Sequence, residues 1–209
     1  MTRRDLMAAI GLTQIPGAPG AWRDLFNGRD LTGWVEDTRG VWSARDGMIV
    51  GKHTGQRWND FLRTKEEFED FELSLEFRLV DGVGNSGIQF RSVAAEKDHE
   101  LSGYQADIGQ QYWGCLYDES RRNRVLVQAP AEMVARLDKS GWHSYVVRAQ
   151  GAHITLTLDG MKTVDYTEAE AGIGRRGIIA LQVHSGPGIE VQFRQIRIRG
   201  LAGAGGQEK

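Results

Sequence analysis

Ten residues, FELSLEFRLV (71–80), alternate without a break. Phe71, Leu73, Leu75, Phe77 and Leu79 fall on one side, and Glu72, Ser74, Glu76 and Arg78 on the other. Successive side chains of an extended chain point to opposite faces, so this pattern fits a half-buried strand and not an amphipathic helix. The same period returns in SGIQFRS (86–92), GYQADIG (103–109), HITLTLDG (153–160) and GIIALQVH (177–184). Between such segments stand turn dipeptides, notably Asp46-Gly47 and Asp159-Gly160, which suit tight hairpins. Glycine supplies 27 of 209 residues, nearly double the usual fraction of about 7%. Only APAEMVARLDKSG (129–141) reads as a helix, with Pro130 in its first turn, Met133, Val134 and Leu137 on one face, and Gly141 as its stop.

About a dozen short strands at spacings of roughly 8–12 residues, with one short helix, predict an all-β fold. The sheets should be antiparallel in a sandwich or barrel, because no helices are available for parallel crossovers. No linker or internal repeat divides residues 22–201, which read as one domain. Residues 1–21 stand apart. TRRDLM (2–7) resembles a twin-arginine export signature, followed by the short apolar patch LMAAIGL and by GAPGA. The expectation from that segment is a periplasmic or secreted protein, and a cytoplasmic one if the segment is not a signal. Residues 202–209 read as a flexible tail.

Lys and Arg number 26 against 28 Asp and Glu, a net charge of −2. That balance has no basic excess to attract phosphates and disfavours nucleic acid as a partner. There is no apolar run of about 18 residues, hence no membrane-spanning helix. A single cysteine, Cys115, cannot make an internal disulfide.

Alternation also sorts the polar residues. If the apolar sides face the core, Glu76, Gln89 with Arg91, Gln105 with Asp107, and Gln182 with His184 all face outward. On neighbouring strands they would form a polar surface with titratable groups, as a sugar site requires. The bland alternative is a set of solvated charges and surface amides. YWGCLYDESRR (112–122) adds Tyr112, Trp113 and Tyr117, rings that can stack on sugars, together with Glu119. Core packing is the competing reading for those rings.

The ordered set LFNGRDLTGW, DGMIVG, DFELSLEFRL, GNSGIQFRS, GYQADIG, GCLYDE, GWHSYVVRAQG, LTLDG and GIIALQVHSG resembles the 3-keto-disaccharide hydrolase family over about residues 22–201. The resemblance implies a concanavalin A-like jelly roll with a concave sugar face. It also implies cleavage of glycosides oxidised to a ketone at carbon 3, with a saccharide or glycoside as substrate. Where many members carry Glu after the tyrosine of the GY strand, this chain has Gln105, and the acid falls at Asp107. The expected catalytic set is Arg91, Asp107, Glu119 and His184, with Arg91 or a bound divalent metal as electrophile. Asn85, Gln89, Gln105, Trp113, Tyr117 and Gln182 are expected to bind substrate. Glu76, Asp107 and His184 are candidate metal ligands if their strands adjoin. A non-catalytic carbohydrate-binding module is the alternative function, since it needs rings and amides but no titrating acid.

Overall fold

The structure, a computed structural model, describes residues 20–95 and 99–203. The export-like segment and most of the tail therefore lie outside the described residues. Fifteen strands are present among them: β1 (Arg23–Asp24), β2 (Trp34–Glu36), β3 (Trp42–Arg45), β4 (Met48–Gln56), β5 (Asp60–Phe68), β6 (Phe71–Leu79), β7 (Asn85–Ala94), β8 (Leu101–Gly109), β9 (Leu116–Glu119), β10 (Arg124–Val127), β11 (His143–Gln150), β12 (His153–Leu158), β13 (Met161–Thr167), β14 (Gly177–Val183) and β15 (Gly186–Gly200). The one α-helix among the described residues, α1, spans Ala131–Val134.

These strands make two antiparallel sheets. The first runs β13-β12-β11-β6-β15-β4-β3, with β1 added beside β15. The second runs β10-β9-β8-β7-β14-β5-β2. Together they form the two-sheet sandwich of a concanavalin A-like jelly roll. The expected hairpins close as their sequences require. Arg45 pairs with Met48 around Asp46-Gly47, and Leu158 with Met161 around Asp159-Gly160. All four turn residues take positive φ, the backbone of a type I′ turn.

Between the sheets lies one core. The apolar side of β6 (Phe71 to Leu79) meets Ile88 and Phe90 of β7, Tyr104, Ala106 and Ile108 of β8, and Ile179, Leu181 and Val183 of β14. Every strand singled out by its alternation buries the face expected of it.

Two expectations need correction. The helical pattern from 129 to 141 yields only four α-helical residues. The chain then winds through shorter turns and breaks at Asp138, whose carbonyl accepts the Gly141 N–H and the His143 Nε2–H. The second correction concerns β6, which belongs to the opposite sheet from β7, β8 and β14. Consecutive strands β5, β6 and β7 switch sheets twice, so neighbours in sequence are not neighbours on a surface. Glu76 therefore faces outward on the far side of the sandwich, paired with Arg194 at 2.6 Å.

Candidate active site on the outer face of the second sheet

Register builds the site. Gln89 on β7 stands opposite Gln105 on β8, and Gly87 opposite Asp107. On the other flank of β7, Gln182 of β14 stands opposite Gly87. On the far side of β8, Tyr117 of β9 stands opposite Gln105 and Glu119 opposite Gly103. All of these belong to the face turned away from the core. Pleat parity thus brings together Asp107, Gln105, Gln89, Gln182, Tyr117 and Glu119, and Asn85 joins them at the end of β7.

This outer face is sheltered. Gln89 and Gln182 have no exposed surface, and Asp107 has 4%. Phe61, Leu101 and Ala180 form a small apolar cluster on the same face. The closing end of the β7–β8 hairpin is held to the start of β5, where Asn59 donates to the Glu100 carboxylate at 3.1 Å.

The buried polar groups form a chain with one polarity. Ser92 Oγ donates to Gln89 Oε1 (2.7 Å), and Gln89 Nε2 donates to Gln105 Oε1 (3.1 Å). Gln105 Nε2 donates to Asp107 Oδ2 (3.0 Å), while Asn85 Nδ2 donates to Asp107 Oδ1 (2.9 Å). Each amide is oriented by its neighbour, so both carboxylate oxygens receive a donor in a low-dielectric setting. Space for this comes from glycine. A Cβ at Gly87 would lie 2.5 Å from the Gln105 side chain, and one at Gly103 would lie 2.2 Å from Ser92 Oγ.

Electrostatics single out Asp107. Burial pushes its carboxyl up to about 7, with the Glu119 charge acting in the same direction and the Gln105 and Asn85 donors opposing. Burial and the same Glu119 charge raise the Tyr117 phenol. Tyr117 meets Tyr112 edge to face at 5.9 Å, giving a pair of half-buried rings beside the carboxylate.

His184 follows β14 directly, and its backbone N–H donates to the Asn85 carbonyl at 3.3 Å. Its Nδ1 lies 2.8 Å from the Ser185 carbonyl, which can only accept, so Nδ1 carries a proton. In the neutral ring the lone pair is then on Nε2.

Three expected members lie elsewhere. Arg91 sits in a β-bulge: the β7–β8 register shifts between Phe90 and Val93, and Arg91 takes φ 49°. The extra residue breaks alternation, so Ser92 inherits the outward position over Gly103 and Arg91 leaves the face. Its guanidinium is spent on Asp70 (3.0 Å) and on the carbonyls of Glu69 and Gly151. Trp113 is 1% exposed and packs on Phe77 and His143 in the core, so it forms no wall of a cleft. Glu76 is on the other sheet, so Glu76, Asp107 and His184 do not converge. Among the described residues no group of three His, Cys, Asp or Glu side chains could hold a metal ion. The donor set does not fit a divalent metal at this place.

Ser92 was missed. Its signal, a serine ending GNSGIQFRS, is legible only once the bulge is known.

Comparison with known proteins agrees with this architecture. Residues 21–199 match the family described as the 3-keto-α-glucoside-1,2-lyase-like domain. No curated protein matches the chain significantly in sequence. Among solved structures, a candidate glycosyl hydrolase from Parabacteroides distasonis superposes with a TM-score of 0.66 at 19% identity, covering 87% of this chain and 94% of that one. The carbohydrate-binding module CBM66 from Bacillus subtilis gives 0.62 at 18% identity, over 79% of this chain and 94% of its own. The Bacillus licheniformis β-glucanase gives 0.61 at 12% identity, over 87% and 98%. At these identities the likeness is one of fold.

Proposed function

Since the chain belongs to the 3-keto-α-glucoside-1,2-lyase-like family, whose members act on carbohydrates by hydrolytic or lyase chemistry, we propose that it cleaves 3-keto-glycosides with Asp107 as the proton-transferring group. A ketone at carbon 3 acidifies the hydrogen on carbon 2. In its ionised form Asp107 removes that proton, and the electron pair of the C–H bond passes into an enediolate. The enediolate then expels the glycosidic oxygen from carbon 1, which leaves with the bonding pair and takes up a proton. Water adds across the resulting double bond, hydroxyl to carbon 1 and hydrogen to carbon 2, giving free 3-keto-glucose. No oxocarbenium ion is needed, so the route does not require two carboxylates at a fixed separation.

One observation carries the reading: a carboxyl buried on the outer face, oriented by two amide donors, with its ionisation moved near neutrality. A base works best when its pKa lies near the working pH. Asn85 and Gln105 hold the carboxylate and Gln89 holds Gln105, while half-buried Tyr117 offers a sugar an apolar edge. Gln182, fully buried beside them, has both side-chain amide atoms without a hydrogen-bond partner among the described residues. Glu119 and His184 are the candidates for protonating the leaving oxygen, and Arg91 is withdrawn from the electrophile role.

The direct test is Asp107→Asn with a 3-keto-disaccharide, scored by release of 3-keto-glucose. Loss of a general base predicts a rate fall of about 10²–10⁴ in a folded variant. A rate equal to that of the unaltered protein would remove Asp107 from the chemistry.

A further inference from the structure

The peptide that joins His184 to Ser185 is gripped at both ends by side chains. His53 Nε2 donates to its oxygen, the His184 carbonyl, at 2.9 Å. Asn59 Oδ1 accepts its hydrogen, the Ser185 N–H, at 3.0 Å.

The two grips come from different elements. His53 lies on β4 of the first sheet, opposite Ile189 of β15. Ile189 is buried in the core, so His53 takes the inward side of its strand and reaches across to the second sheet. Asn59 is buried just before β5. His53 is itself fixed, because its Nδ1 accepts the Gly55 N–H at 3.0 Å. An acceptor at Nδ1 and a donor at Nε2 define one neutral tautomer.

What the gripped peptide carries is His184. Register sets Val183 opposite Ser86, and alternation then sets His184 on the outer face with Asn85. Asn85 serves both groups. Its Nδ2 donates to Asp107 Oδ1, and its carbonyl accepts the His184 N–H. The Ser185 carbonyl takes the His184 Nδ1 proton at 2.8 Å. Nε2 is left with no hydrogen-bond partner among the described residues. Only β7 lies between β14 and β8. The strands bearing His184 and Asp107 are thus roughly 10 Å apart at about 4.8 Å per step, the reach of one sugar ring with a hydrogen bond at each end.

We propose that His53 and Asn59 are positioning residues that hold His184 as the acid for the leaving oxygen. The proposal rests on the 3-keto-glycoside reading of the Asp107 face and deepens it. In the assigned step the C1–O bond breaks, its electron pair goes to the oxygen, and that oxygen takes the Nε2 proton of the protonated ring. His184 is left neutral with its remaining proton on Nδ1, the one that Ser185 already holds. A peptide free to turn would carry the ring away from the oxygen, so the cost of losing either grip falls on proton delivery.

Leaving-group dependence separates that role from a merely structural one. The full chain is assayed with a 3-keto-disaccharide, whose leaving oxygen needs a proton, and with nitrophenyl 3-keto-glucoside, whose phenolate departs without one. His53→Leu removes the donor and should lower kcat on the disaccharide by about 10- to 100-fold with KM little changed. Its rate on the nitrophenyl substrate should hold. His53→Gln, which keeps a donor, should restore most of the loss. Asn59→Ala reads the other end of the same peptide and should show the same split, which keeps the test open if His53→Leu does not fold. Equal losses on both substrates in a folded variant, or no loss on either, would overturn the positioning role. So would His184→Gln cleaving the disaccharide at the unaltered rate. Failure of the Asp107 reading shows differently, as undiminished cleavage of both substrates by Asp107→Asn.

Discussion

Asp107 sits where folding and chemistry make opposite demands. Its folded pKa of about 7 lies well above the ordinary carboxylate value of about 3.9. Between those two values the folded chain holds a proton that the unfolded chain has released. Stability is therefore lost as pH rises from about 4 to about 7, and the loss is complete above that window. Replacing Asp107 by Asn keeps the shape and removes the charge. We expect Asp107→Asn to be more stable than the unaltered chain at pH 8, by on the order of 1–4 kcal/mol, with little difference at pH 4. Urea melts at the two pH values check this, and equal differences at both would refute the assignment. Arg91 makes the contrast. Its side chain is 1% exposed and tied to Asp70, so Arg91→Met should cost about 3–5 kcal/mol while leaving the rate per folded molecule unchanged. A stability measurement paired with active-site-normalised kinetics separates the two effects. Sequence alternation placed Asp107 correctly and Arg91 wrongly for one reason: parity carries along a strand only until a bulge interrupts it.

At the scale of elements, β7 and β8 decide the site, and two glycines let them do so. Gly87→Ala would put a methyl group against the flexible end of Gln105. The backbone can accept alanine there, since Gly87 has no positive φ, so Gln105 must swing away from Asp107. Without that donor the carboxylate is less stabilised, and its ionisation moves further up. The expected outcome is an upward shift in the pH midpoint of cleavage with a stability loss of about 1–3 kcal/mol, since Gln89 Nε2 also loses its acceptor. An unshifted midpoint would mean that the Gln105–Asp107 bond does not tune the base. The strands and their buried faces were legible because each alternates over several residues. The allocation of strands to sheets was not, because β5, β6 and β7 cross between layers. That is why Glu76 read as a site neighbour and proved to be on the opposite surface. Trp113 was misplaced for a related reason: it lies outside any strand, so alternation had nothing to say, and the ring fills the core beside Phe77.

For the whole molecule, the sandwich offers two outer faces of different character. The first sheet's face is a lattice of partly exposed ion pairs, such as Glu72 with Arg148 and Arg199, and Glu190 with Lys52 and Arg45. Pairs of that kind stabilise little individually and keep a face hydrated. The second sheet's face is amide-rich, sheltered, and carries Asp107. The residue types were readable early, whereas the shelter over that face depends on contacts between β5 and the β7–β8 hairpin that no local pattern announces. The proposed route has the carbon 2 hydrogen leave before the glycosidic bond is fully broken. Cleavage of a 3-keto-disaccharide in deuterium oxide measures this directly, by mass spectrometry of the 3-keto-glucose released and correction for uncatalysed exchange. Deuterium at carbon 2 in the product from the unaltered protein is the predicted result; product that retains its original hydrogen there would contradict the account.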